Sequence, residues 1–133
     1  TAALLAEAAY RVDRVDEAEE LTRASEKSAS ADDRYSHALL RGVRARVLAG
    51  RGDASAAEQL ARESVALADE TDFLDLRWHT RIGLADVLRS GDDQAEAARD
   101  LLAEAVEIAE RKGNLVAARR TRDLFEQWGL SAP

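Results

Sequence analysis

Side chains able to do chemistry are few in this chain and lie far apart. Two histidines, His37 and His79, stand 42 residues apart. A metal site would need further ligands of the right kind at close spacing. Neither histidine has them, so both read as ordinary surface or half-buried residues. Cysteine is absent, which removes thiolate ligands, thiol nucleophiles and disulfides together. Gly42 and Gly83 belong to no glycine-rich phosphate loop; at a step of 41 they read as close-packing positions inside helices. The carboxylates Asp16, Glu17, Glu19 and Glu20, and the pair Asp92 and Asp93, have the proximity of acid–base pairs. They also sit where helices begin, and there a carboxylate complements the helix dipole. Serines and threonines have no histidine–carboxylate arrangement nearby. No catalytic, metal or cofactor site is expected, and the fragment is read as a non-enzyme.

The framework that positions these residues repeats. Alanines match at Ala6, Ala45 and Ala85, steps of 39 and 40, while Val65 and Ile108 have counterparts at Val106 and Leu67, a step of 41. A period near 40 with helical content throughout marks a helical-repeat array, and such arrays serve mostly as binding surfaces. The chain is rich in alanine, leucine, glutamate and arginine, and its one proline is Pro133, so helix is favoured everywhere before it. We expect A/B helix pairs at about Ala2–Val12 and Glu17–Ser28, Asp33–Ala49 and Ser55–Glu70, Phe73–Arg89 and Gln94–Lys112, then a last helix at Leu115–Trp128. Gly52, Gly91 and Gly113 fall just past helices, where a left-handed residue is wanted. Capping-box spacing recurs at Asp16 and Glu19, Ser55 and Glu58, and Asp93 and Glu96. Stripes such as Leu60, Ser64, Leu67, Ala68 and Trp78, Ile82, Ala85, Leu88 have helical periodicity. Ala45, Ala57, Ala85 and Ala98 allow paired helices to approach closely, and the short loops imply antiparallel neighbours.

At 133 residues the chain suits one domain over 1–133, with 46% hydrophobic and 34% charged residues. Net charge is −7, against the basic stripe that nucleic-acid binding needs and against an anionic membrane surface. No apolar run has the length of a membrane span, and a cytoplasmic protein is expected. The chain begins at Thr1 and contains no methionine, so it is read as a piece of a longer protein.

Ala45, Ala57, Leu60, Ser64, Val65 and Leu67, and again Ala85, Ala98, Leu101, Ala105, Val106 and Ile108, resemble the tetratricopeptide (TPR) pattern. The departures are a longer period and the missing Trp, Tyr and Pro positions; HEAT or armadillo repeats are the alternative at this period. Residues 40–49, 57–68, 71–75 and 110–118 are similar to the TPR-like tail of actinobacterial multidomain proteins. In those, an adenylate/guanylate cyclase or a LuxR/SARP-type regulator is joined to an ATPase and a helical-repeat region. The expected fold is all-α: a right-handed α-solenoid of antiparallel helix hairpins, three hairpins plus a final helix. The resemblance implies a non-catalytic interaction module of a signalling or regulatory protein. The alternatives are an oligomerisation element and the sensor part of a transcriptional regulator.

Charge divides by helix type. A-type segments carry +5 in all and B-type segments −12. In a TPR-like superhelix the A helices line the concave face, which here would be relatively basic and suited to an acidic peptide or a domain of the same chain. Solvated B helices laced by i,i+4 pairs would give the same split. Repeat alignment places Leu39 and Arg46, His79, Asp86 and Arg89, and Arg119 or Arg120 in this groove, with Glu7 and Arg11 as their first-repeat counterparts. An apolar end face around Leu124, Phe125, Trp128 and Leu130 motivates a homodimer through the last helix.

Overall fold

The computed structural model describes residues 6, 15–28, 30, 33–89, 91 and 93–132, and these are helical with short connections. Six helices follow in chain order: α1 (Val15–Ser28), α2 (Arg34–Gly50), α3 (Ala54–Asp69), α4 (Leu74–Arg89), α5 (Ala95–Lys112) and α6 (Leu115–Gln127). Each lies within two residues of its expected bounds. The expected helix at Ala2–Val12 lies outside the described residues, except for Ala6, which is helical and fully buried.

Local chemistry sets the helix ends, with corrections to the expected caps. Asp33 caps α2 by accepting from Ser36 N at 3.0 Å, and Asn114 caps α6 by accepting from Ala117 N at 3.0 Å. On α3 the cap is Asp53, which accepts from Ala56 N at 3.3 Å, so Ser55 lies inside the helix instead of capping it. Asp16 falls in the first turn of α1, and Gln94, not Asp93, occupies the cap position of α5. Asp93 has φ 59°, a left-handed conformation that a helix-capping residue does not adopt. Gly52 and Gly113 are left-handed as expected, at φ 87° and 79°; in the α4–α5 turn Asp93 takes that conformation and Gly91 does not.

Packing follows chain order. α1 lies on α2, α2 on α3, α3 on α4, α4 on α5 and α5 on α6, and α2 also packs on α4. The repeat alanines sit at these crossings: Ala6, Ala85, Ala18, Ala57 and Ala98 are fully buried and Ala45 is 1% exposed. A helix crossing built on alanine brings two backbones together, so a larger side chain there has no space to enter. At the α2–α3 crossing, buried Ser64 donates to the Ala38 carbonyl at 2.6 Å, and a Cβ on Gly42 would meet its Oγ at 3.4 Å. Gly42 is thus a close-packing position. Gly83 is not, since a Cβ there would meet nothing within 4 Å.

The largest core cluster joins Ala57 and Ala61 of α3, Leu84, Ala85 and Leu88 of α4, Ala98 and Leu102 of α5, and Phe125 of α6. Trp78 and Ile82 of the expected α4 stripe are half-buried, while Leu76, Thr80 and Leu84 are deeper. Trp78 donates from Nε1 to Thr121 Oγ1 at 2.8 Å, and Thr121, fully buried, donates in turn to the Ala117 carbonyl at 2.7 Å. Of the expected apolar end face, Phe125 is buried, while Leu124, Trp128 and Leu130 are partly buried against the same core. Among the described residues the large apolar side chains that stand exposed are Tyr35, Phe73, Leu115 and Val116, near the N-termini of α2, α4 and α6.

Two outcomes are expected. Ala98→Leu should destabilise the chain by about 1–3 kcal/mol in urea denaturation, because it overpacks a fully buried position in the largest core cluster. The second concerns Asp33, whose carboxyl is held below its ordinary value of 3.8 by the hydrogen bond from the Ser36 amide. A depressed folded pKa stabilises above the unfolded value and is lost as pH falls through the folded one. Asp33→Asn keeps a capping oxygen and should therefore flatten the stability profile below about pH 4, as acid titration of thermal melts would show.

Candidate functional site

The acidic and basic side chains that sequence alone assigns to opposite helix types meet across helix interfaces. Arg34 of α2 pairs with Glu70 beyond α3 at 2.7 Å, and Arg44 of α2 with Glu26 of α1 at 2.8 Å. Lys112 of α5 pairs with Asp75 of α4. Arg51 pairs with Glu19, and its hydrogen bond holds the Glu19 carboxyl below the usual range. Much of the A/B charge split is therefore matched within the molecule, in addition to i,i+4 pairs such as Arg62 with Glu58.

One of these contacts recurs in register with the repeat. Arg41, Arg81 and Arg122 occur at steps of 40 and 41 on α2, α4 and α6. Arg81 holds Asp69 at the end of α3 through both guanidinium Nη atoms, at 2.8 and 3.0 Å. Its Nε lies 3.4 Å from Glu104 Oε2 on α5. Arg41 makes the second of these contacts, reaching Glu63 of α3 at 3.3 Å, and Arg122 makes the first, reaching Glu110 of α5. Glu63 and Asp69 of α3 answer to Glu104 and Glu110 of α5, both at a step of 41. Arg81 therefore ties two successive B helices to the A helix between them. Burial pulls its pKa down, yet Asp69 and Glu104 together hold it above its ordinary value. This position was legible as an arginine recurring at the repeat period. Read by helix type, it was only a contribution to net charge.

The expected groove residues fall into three places. Leu39 and Arg46 of α2 and His79 of α4 meet at one crevice that Gly42 and Gly83 also line. Its volume of about 10 Å³ admits one water at most. Leu39 is 5% exposed, so it belongs to the core rather than to a surface. Arg46 Nε lies 3.4 Å from the Gly42 carbonyl, and the His79 ring tilts against Trp78 with centroids 6.4 Å apart. Asp86 and Arg89 pair with each other at 2.7 Å, and the Arg89 guanidinium lies 4.6 Å over the Trp128 ring. Arg119 and Arg120 are exposed on α6 and make no ion pair among the described residues. Glu7 and Arg11 lie outside the described residues.

Other chemistry-bearing residues are likewise engaged. His37 donates from Nε2 to the Ser30 carbonyl at 2.9 Å. Among the described residues no cluster of histidines and carboxylates is arranged to hold a metal ion, and no helix is long and apolar enough to cross a membrane. A groove of about 480 Å³ lies between α5 and α6, lined by Asp100, Ala103, Glu104, Val106, Arg122 and Phe125 among others. Sequence patterning did not single it out, because its two walls belong to different helices and meet only on folding.

No protein-family model matches the chain, and no curated protein or solved structure matches it.

The Arg81 bridge sets a direct expectation. Arg81→Ala, which strands two acceptors at a side chain only 15% exposed, should cost about 1–3 kcal/mol. Arg62→Ala, which opens an exposed i,i+4 pair, should cost less than about 0.5 kcal/mol. Equal losses in urea denaturation would mean that the bridge does not join the helices.

Proposed function

We propose that this chain is a non-catalytic interaction module, a right-handed TPR-like α-solenoid whose concave A-helix face holds an acidic peptide segment or a neighbouring acidic domain. The observation that carries this reading is the direct packing of two successive A helices, α2 on α4. α4 in turn reaches α6 through Trp78 with Thr121 and through Arg89 over Trp128. Neither α4 with α6 nor the B helices α3 with α5 share an interface as extensive as that of α2 with α4 among the described residues, and α3 and α5 are linked through the Arg81 side chain. In a curved array the layer whose helices approach more closely is the inner one.

Charge supports the same direction. Arg41, Arg81 and Arg122 are committed to the B helices. Arg89, Arg119 and Arg120 remain at the surface of α4 and α6, and Arg46 and His79 border the crevice between α2 and α4. Because that crevice is narrow, a ligand would lie across these side chains rather than enter between the helices. Burial of Phe125 and partial burial of Leu124, Trp128 and Leu130 against the core reduce the apolar surface that self-association through the last helix would use. The resemblance carries the proposal one step wider, to a role in the cytoplasm as the helical-repeat part of a larger bacterial signalling or regulatory protein of the cyclase–ATPase or transcription-regulator kind.

A short fluorescein-labelled Glu/Leu peptide tests the basic face by fluorescence anisotropy. Binding should weaken with added salt and fall about tenfold in the Arg46→Glu, Arg89→Glu double variant. Arg62→Glu on α3 should leave it unchanged. If the α3 control weakens binding and the double variant does not, the concave-face proposal fails.

A further inference from the structure

We propose that Tyr35, Asp72 and Phe73 form a binding site for an arginine side chain of a partner protein, with the guanidinium held between the aromatic rings and the carboxylate. The repeat marks Phe73 as out of place. Asp33, Phe73 and Asn114 stand in register at the starts of α2, α4 and α6, at steps of 40 and 41. Asp33 and Asn114 cap their helices through their side chains. A phenyl ring has no acceptor, so α4 begins without that contact, and a missing cap destabilises a helix. The ring gains no burial in exchange, since Phe73 is 57% exposed. Two further helices follow α4 in the chain, and the ring is still uncovered. A residue that breaks the local rule for its position without a packing gain points to function.

Around Phe73 the structure supplies the rest of a cation site. Tyr35 of α2, 40% exposed, meets the Phe73 ring edge to face, with centroids 5.8 Å apart and planes at 90°. The two rings form a corner in a cavity of about 280 Å³, which Asp72, Asp75 and Lys112 also line. That volume suits a single side chain rather than a helix. All but one of the charges here are matched. Lys112 pairs with Asp75, and Arg34, next to Tyr35 in the chain, pairs with Glu70. Asp72 is exposed and makes no ion pair among the described residues. The cavity therefore sets one unmatched negative charge beside two aromatic rings, a combination that attracts a cation. The molecule makes this contact once with its own side chains. Arg89 lies 4.6 Å over the Trp128 ring while its Nε meets Asp86 at 2.7 Å. Phe73 and Asp72 offer the same two groups to a guanidinium from outside the chain. Arginine suits them better than lysine, because its planar head group stacks on a ring and pairs with a carboxylate at once.

The test titrates two capped peptides into the whole isotope-labelled chain and follows its amide signals by NMR. Both are short glycine/serine segments, one with arginine at the centre and the other with citrulline, its neutral isostere. The arginine peptide should shift the signals of Tyr35, Asp72 and Phe73 to saturation, and the citrulline peptide should not. Phe73→Asn gives α4 the cap residue of α6. It should weaken the arginine peptide about fivefold and raise the melting temperature by a few degrees, so the lost binding does not come from lost folding. Asp72→Asn should weaken the peptide about threefold, whereas Arg46→Glu with Arg89→Glu should not weaken it. Failure of the arginine peptide to bind, equal binding of the citrulline peptide, or binding indifferent to both single variants overturns the proposal. So does a lower melting temperature in Phe73→Asn, since the ring would then be holding the fold. The basic A-helix face has its own peptide and its own variants, so failure at Phe73 leaves that proposal standing.

Discussion

Everything in this molecule depends on how closely its helices approach at alanine. Ala45, Ala57, Ala85 and Ala98 are buried where the A and B helices of one repeat cross, and Ala6 and Ala18 hold equivalent sequence positions in the first. Alanine adds almost no volume between two backbones, so the helices can come within reach of short polar contacts. Ser64 can then donate directly to a backbone carbonyl of the neighbouring helix, beside Gly42, where an added Cβ would lie 3.4 Å from the hydroxyl. Larger residues at these crossings would separate the helices and break contacts of this kind. Aromatic residues make up only 5% of the chain, and of the described rings Tyr35 and Phe73 are exposed while Phe125 joins the main core.

Electrostatics then link one repeat to the next. A buried core of alanine and leucine is poorly directional, since many sliding arrangements bury similar apolar area. The ion pairs of Arg41, Arg81 and Arg122 have fixed reach and specific acceptors, so they favour one register among those arrangements. Arg81 does this with two partners on different helices, at a site wet enough to remain charged and dry enough for the charges to act strongly. The same contacts match much of the excess acidity of the B helices. Net charge by segment therefore overstates how much field the molecule directs outward.

A large part of this was legible before any coordinates. Helix positions follow from glycines, polar turns and the 40-residue recurrence, and the described helices begin and end where those signals fall. Caps were harder to place. Asp53 and Ser55 can both cap a helix in the same turn, and the choice between them depends on backbone torsion angles that no spacing rule encodes. Asp93 adopts a left-handed conformation beside a glycine better suited to it, for which local sequence holds no signal. Gly42 and Gly83 look alike in the repeat, but only Gly42 faces a neighbouring side chain. Leu39 and Arg46 also look alike as groove residues, until the deeper rotation of Leu39 toward the core separates them.

What the sequence by itself determined is the set of helices, their order and the residue types at each crossing, because these depend on chain-local propensity and on a periodicity that can be counted. What only the tertiary structure decided is which charges meet, which apolar residues are covered and which are left open. Leu124 and Phe125 could face outward or inward on α6, and packing on the main core buries Phe125 and covers part of Leu124. Glu104 could be a solvated carboxylate or a partner for Arg81, and only the distance between α4 and α5 makes it the latter. The α5–α6 groove has no existence in the sequence, since it is a property of two helices held side by side. Physically, propensity acts over a few residues, whereas burial and charge pairing act through space between residues distant in the chain.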